Sequence, residues 1–121
     1  MKRELKNNEK IFIAGASGMV GSAIKRYLEN KGFKRNLLMP NRQELDLLDS
    51  NSVSKWFLKN KPNIVILAAA KVGGIFANDS YPVEFLLDNL KIQNNLIEMS
   101  WKYKVKKLLF LGSSCIYPKF A

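Results

Sequence analysis

Three glycines, Gly15, Gly18 and Gly21, recur at a step of three between two patterned stretches. Before them lies a short apolar run, Ile11-Phe12-Ile13-Ala14; after them Val20, Ala23, Ile24, Tyr27 and Leu28 return with helical spacing. Strand, glycine turn and helix in that order form the front half of a dinucleotide-binding βαβ unit. Each glycine has a distinct task. The first lets the chain turn out of the strand, the second removes a Cβ where backbone must approach a pyrophosphate, and the third lets helix and strand pack closely. The helix start then offers unpaired N–H groups and a positive dipole end to the phosphates. Gly15, Ser17, Gly18, Met19, Val20 and Gly21 are therefore the first candidate cofactor contacts.

A second place for chemistry lies where the next strand should end. A site for NAD typically puts an acidic residue there, on the ribose 2′-hydroxyl. Here the place is taken by Pro40-Asn41-Arg42. Arginine pairs with a 2′-phosphate that a carboxylate would repel, so NADP is favoured and Arg42 is the key residue. The alternative is that Arg42 is one surface cation among many, with Glu44 close by. Lone Cys115 excludes an intrachain disulfide, and with no histidine a zinc site is not expected.

The elements that position these residues follow from the same pattern. Gly32 stops the first helix, 36–39 reads as a second strand, and Glu44-Leu45-Asp46-Leu47-Leu48 reads as a brief third one. Asp49 or Ser50 caps a helix carrying Val53, Trp56, Phe57 and Leu58, which ends before Pro62. Residues 63–68 form a continuous apolar run, as expected of a buried parallel strand. A long helix over 81–103 shows two apolar faces: Val83, Leu86, Leu87, Leu90, Ile97 and Trp101 on one, Phe85, Ile92, Leu96, Met99 and Tyr103 on the other. A helix lying on a sheet needs one such face. The second asks for a cover, either another subunit or a further segment of chain. Residues 107–111 close the series as the last strand. Strands alternating with helices predict a Rossmann-type doubly wound parallel sheet of about five strands in the order 3-2-1-4-5. Residues 1–9 are read as a lead-in and 10–121 as a partial NADP-binding domain, with no substrate domain.

Bulk composition narrows the class. One chain of 121 residues with 47% hydrophobic content can build a single core. No apolar run approaches the roughly 20 residues that span a bilayer, and the charged N-terminus is no secretory signal, so a cytoplasmic location without membrane contact is expected. The formal charge of +10 favours anionic partners. The lysines are scattered, most of them over polar helix faces and helix ends, and no aromatic-plus-basic single-strand motif interleaves them, so nucleic acid is not the expected partner.

At the expected strand ends the chain carries recognisable words: AGASGMVGSAI, NRQELDLLD, LAAAKVGGI, NDSYPVEFLLDNL and FLGSSCIYPK. Together with the glycine step of three they resemble the extended short-chain dehydrogenase/reductases, and more narrowly the GDP-L-fucose synthase family. The resemblance covers residue 10 to the end. It implies NADP-dependent epimerisation and reduction of GDP-4-keto-6-deoxy-D-mannose, a nucleotide sugar, to GDP-L-fucose. By the same resemblance Asp46 and Leu47 lie at the adenine edge, although Asp46 fits a strand-end turn equally well. Ala68, Ala69 and Ala70 let the cofactor lie close to the strand, with Lys71 near it. Asn89 contacts the cofactor or backbone at the site, unless it is an exposed amide at a helix edge. Ser113 matches the serine that hydrogen-bonds the substrate carbonyl, and Cys115 the cysteine that serves as acid/base in epimerisation.

Other parts of that machinery are absent from these residues. The family's Tyr-x-x-x-Lys pair follows the serine segment, and its cysteine works with a histidine. Tyr27 with Lys31 and Tyr103 with Lys107 have the right spelling in the wrong places. The expectation is a cofactor-binding portion, inactive by itself, that either dimerises through the 81–103 helix or pairs with a missing C-terminal polypeptide. The alternative is a non-catalytic NADP(H)-binding module or the partner subunit of a split enzyme.

Overall fold

Every residue of β1 (Ile11–Ala14) is buried, and the other elements are laid out from this strand. The computed structural model describes residues 8–68 and 83–110, with the Phe85 side chain outside that description. After β1 come α1 (Met19–Asn30), a 3-10 turn at Lys34–Asn36, β2 (Leu37–Leu38), α2 (Ser50–Asn60), β3 (Ile64–Leu67), α3 (Val83–Lys102) and β4 (Lys107–Phe110). The strands pair in the order β2-β1-β3-β4, all parallel. Ile11 stands opposite Leu37 on one side and Ile64 on the other, and Ile64 opposite Lys107.

Alternation along the strands divides the apolar residues between two faces. Phe12, Ala14, Val65 and Leu67 face α2 and α3 and pack with Val53, Phe57, Ile92, Leu96 and Met99. Ile11, Ile13, Ile64 and Ile66 face the other way, where Ile24 and Leu28 of α1 cover them with Phe33, Leu37 and Met39. Both faces are covered, which is why β1 and β3 read as unbroken apolar runs.

Asp49 caps α2 by accepting the Asn51 N–H, as one of the two expected caps. On the same helix Trp56 and Phe57 enclose Phe12, with ring centroids 4.4 Å and 5.9 Å from it. Tyr103 joins α2 to the end of α3 through its ring, 6.2 Å from Phe57, and its hydroxyl, 2.7 Å from Ser54 Oγ. At the amino ends of the strands, Glu9 is buried and ion-paired with Lys106, and its carbonyl accepts from Asn36 Nδ2 at 2.7 Å. Asn63 links three segments there: its side chain accepts the Lys10 N–H at 2.7 Å and its carbonyl accepts the Lys106 N–H at 2.8 Å.

Two expectations need correction. Glu44 to Leu48 is a turn and a loop, not a third strand. Glu44 and Leu45 both donate their N–H to the Asn41 carbonyl, and the Leu48 N–H donates to Asp46 Oδ1, so ladder donors are satisfied locally. Removing that strand from the order 3-2-1-4-5 leaves the observed β2-β1-β3-β4. The buried stripe of α1 is also narrower than its spacing implied. Gly21, Ile24 and Leu28 face the sheet, while Val20 and Tyr27 are 52% and 61% exposed.

The two faces of α3 divide as read from the sequence. Ile92, Leu96 and Met99 are buried in the core; Val83, Leu86, Leu87, Leu90, Ile97 and Trp101 are all exposed. Among the described residues, no helix is long and apolar enough to cross a membrane.

Candidate dinucleotide site

The sheet's connections depart in opposite directions after β1 and after β3, toward β2 and toward β4. That switch point opens a crevice at the carboxyl ends of the strands. A cleft of about 690 Å³ occupies it, walled by the turn after β1, the segment after β2, the end of β3 and Ile92 of α3. This volume is ordinary for a small-molecule site.

The first wall is the glycine turn. Gly15 has φ +93°, a conformation that side-chain-bearing residues rarely adopt, and its carbonyl accepts the Gly18 N–H at 3.1 Å. The chain thereby reverses from β1 into α1 within four residues. Gly18 is the N-cap, and among the described residues no side chain caps the first turn. The N–H groups there are left for another acceptor. Gly21 is buried beneath the turn: a Cβ on it would stand 1.9 Å from the Gly15 carbonyl oxygen. At Gly18 the nearest atom to such a Cβ among the described residues is 3.5 Å away, so their packing does not require glycine there. The first and third glycines serve the fold. The second places no Cβ on the cleft beside Ala16 and Ser17.

The second wall runs from Met39 to Leu48. Pro40, Asn41 and Arg42 line the cleft, and Arg42 makes no ion pair among the described residues. Leu45 plunges into the core. Asp46 accepts the Leu48 N–H at 3.0 Å, so it is the strand-end turn residue the sequence allowed, and it also lines the cleft. The Leu47 carbonyl accepts from Asn95 Nδ2 at 2.8 Å, tying this wall to α3. Sequence reasoning passed over Asn95; its signal was an amide one residue before Leu96 on the inward side of a long helix. The third wall is Ala68, whose N–H donates to the Ala14 carbonyl at 2.9 Å.

The fold thus brings seven of the expected residues to one cleft: Gly15, Ser17, Gly18, Arg42, Asp46, Leu47 and Ala68. Met19 and Val20 open α1 above it and are exposed. Asn89 is half-buried on α3 one turn before Ile92, and Ile92 rather than Asn89 lines the cleft among the described residues. Ala69, Ala70, Lys71, Ser113 and Cys115 lie outside the described residues. Both misplaced Tyr-x-x-x-Lys spellings have other employment. Lys31 Nζ sits 5.5 Å from the Tyr27 ring centroid at the far end of α1, and the Tyr103 hydroxyl is bonded to Ser54.

The profile of the NAD dependent epimerase/dehydratase family matches residues 11–121. The chain belongs to this family. Within the epimerase/dehydratase family it is 57% identical over 112 residues to GDP-L-fucose synthase 1 of Arabidopsis thaliana, covering 93% of this chain and 34% of that one. It is 51% identical over 115 residues to GDP-L-fucose synthase of Escherichia coli strain K12, with 95% and 36% covered. Among solved structures it matches MlghC, a GDP-mannoheptose C4 reductase from Campylobacter jejuni with NADP bound. That match has a TM-score of 0.86 and 42% identity, and covers 98% of this chain and 34% of that chain. The chain therefore spans about a third of the length of the relatives it matches.

Proposed function

We propose that this chain is the N-terminal, cofactor-binding part of a GDP-L-fucose synthase-like enzyme and that it holds NADP(H) in the cleft at the switch point. The observation that carries this is the convergence on one cleft of a helix start without a side-chain cap, a glycine at that N-cap and an arginine with no ion pair, among the described residues. In this reading residues 10–121 are one domain. The first-turn amides of α1 bind the diphosphate, Arg42 binds the 2′-phosphate, and Asp46 and Leu47 border the adenine. Ala68, Ala69 and Ala70 leave room beside the strand, with Lys71 and Asn89 toward the approach to the cofactor. When bound, NADPH supplies a hydride. Ser113 would hold the oxygen of the substrate ketone, and Cys115 would move a proton on a carbon beside it.

The family's tyrosine, lysine and histidine are not among these residues, so binding without turnover is expected. Calorimetric titration of the 121-residue chain should give a saturable site for NADPH, weaker for NADH. Mixing chain, NADPH and GDP-4-keto-6-deoxymannose should leave the 340 nm absorbance constant. No heat of NADPH binding would end the cofactor reading, and steady NADPH oxidation would end the claim of inactivity.

A second reading is a non-catalytic NADP(H)-binding module or one subunit of a split enzyme. It is favoured by the outer face of α3, where Leu90 is 45% and Trp101 81% exposed in a run of six apolar residues. We assign to this face either a homodimer contact or a separate downstream polypeptide. Sedimentation should show the parent chain self-associating and Trp101→Glu monomeric at the same concentration, with unchanged helix content. A monomeric parent would remove the homodimer and leave the downstream polypeptide.

A further inference from the structure

Glu44 stands two residues from Arg42, and a free carboxylate at that spacing would oppose a phosphate on the same wall. Its carboxylate is committed elsewhere. Glu44 Oε1 accepts the Asn41 N–H at 2.8 Å, and the Glu44 N–H donates to Asn41 Oδ1 at 2.8 Å. Inside this reciprocal pair one helical turn closes, with the Leu45 N–H donating to the Asn41 carbonyl at 2.9 Å. It is a capping box built on a single turn. Pro40 enters it with φ fixed by the ring, and Leu45 leaves it buried in the core beside Phe12 and Ala14. Arg42 is the first residue inside the turn. Its backbone lies between the two partners of the pair, and the residue lines the cleft without an ion pair among the described residues.

We propose that Asn41 and Glu44 are positioning residues for coenzyme choice: their reciprocal hydrogen bonds fix the Arg42 backbone so that the guanidinium meets the 2′-phosphate. This rests on the reading of the cleft as an NADP(H) site. A rigid base matters because an arginine on a loose loop must be ordered at the moment of binding, which weakens the contact. Glu44 then strengthens NADPH binding, although charge alone would have it do the reverse.

The two accounts of Glu44 predict opposite signs. Kd values for NADPH and NADH are measured by calorimetry on the parent 121-residue chain, Glu44→Ala and Glu44→Gln, with 2′,5′-ADP as a probe lacking the nicotinamide half. If Glu44 positions Arg42, Glu44→Ala weakens NADPH and 2′,5′-ADP by about fivefold, the size of a lost cap, and leaves NADH within about twofold. Glu44→Gln keeps an acceptor for the Asn41 N–H and retains the preference of the parent. Should Glu44→Ala not fold, Asn41→Ala, which breaks the pair from its other end, must lower the NADPH-to-NADH preference by a similar factor. Tighter NADPH binding in both Glu44 variants, or an equal loss for NADPH and NADH, overturns the proposal while leaving the cofactor site in place. A parent chain that binds neither coenzyme overturns both.

Discussion

Replacing Gly21 with alanine is expected to destabilise the chain by about 3 kcal/mol, the upper range for a forced clash in a packed interior. Three backbone atoms stand in the way of the new Cβ: Gly15 O at 1.9 Å, Gly15 C at 2.7 Å and Ala16 Cα at 2.9 Å. None can rotate aside as a side chain would. The Gly15 carbonyl also accepts the Gly18 N–H, so displacing it undoes the turn that launches α1. Against a total stability of about 5–15 kcal/mol for a domain of this class, the loss is large. Urea unfolding followed by circular dichroism measures it. Gly18→Ala is the internal control: with φ −77° and 3.5 Å of clearance it should cost under about 1 kcal/mol while weakening NADPH. Equal unfolding midpoints for parent and Gly21→Ala would show that the helix is not seated against the turn as described.

The second large effect is expected at Arg42. On the proposal that Arg42 holds the 2′-phosphate, Arg42→Glu removes charge-assisted hydrogen bonds worth about 1.5–3 kcal/mol each and adds repulsion. NADPH affinity should fall by about 100-fold and NADH affinity by no more than about threefold. Arg42 is exposed and has no ion pair among the described residues, so the substitution breaks nothing in the fold. Fluorescence or calorimetric titrations with both coenzymes measure the ratio. An unchanged ratio would place the 2′-phosphate elsewhere, or the coenzyme preference with another residue. Raising salt should narrow the ratio in the parent more than in the variant, because the interaction is between exposed charges.

How far the sequence spoke for itself can be judged residue by residue. The glycine turn was legible because its constraints are steric and nearly local: a left-handed Gly15 and a Cβ-free Gly21 follow from spacing alone. The Asp49 cap was legible for the same reason, since its acceptor reaches only to Asn51. The split of α3 into a buried and an exposed face was also readable, because helical geometry sorts side chains whatever lies outside. The Glu44–Leu48 segment misled. Its alternation of polar and apolar residues is what a half-buried strand would show, yet Asn41 and Asp46 captured its donors first. Likewise the apolar residues of α1 over-predicted its contact stripe. Seating Gly21 against Gly15 rotates the helix until Tyr27 points out to solvent.

Taken alone, the sequence determined the strand–turn–helix opening, the alternating α/β class and a basic residue where a carboxylate would mark NAD. Each is set by interactions within a few residues or by periodicity, and all three survive without knowledge of the neighbours. Tertiary structure decided the rest: which of the scattered residues share a cleft, that Asn95 braces the Leu47 carbonyl, that Glu9 meets Lys106 across the base of the sheet, and that Glu44 is bound to Asn41 instead of left facing the cleft. These depend on strand order and on competition among donors and acceptors distant in the chain, and only the folded backbone settles which pairs come within reach.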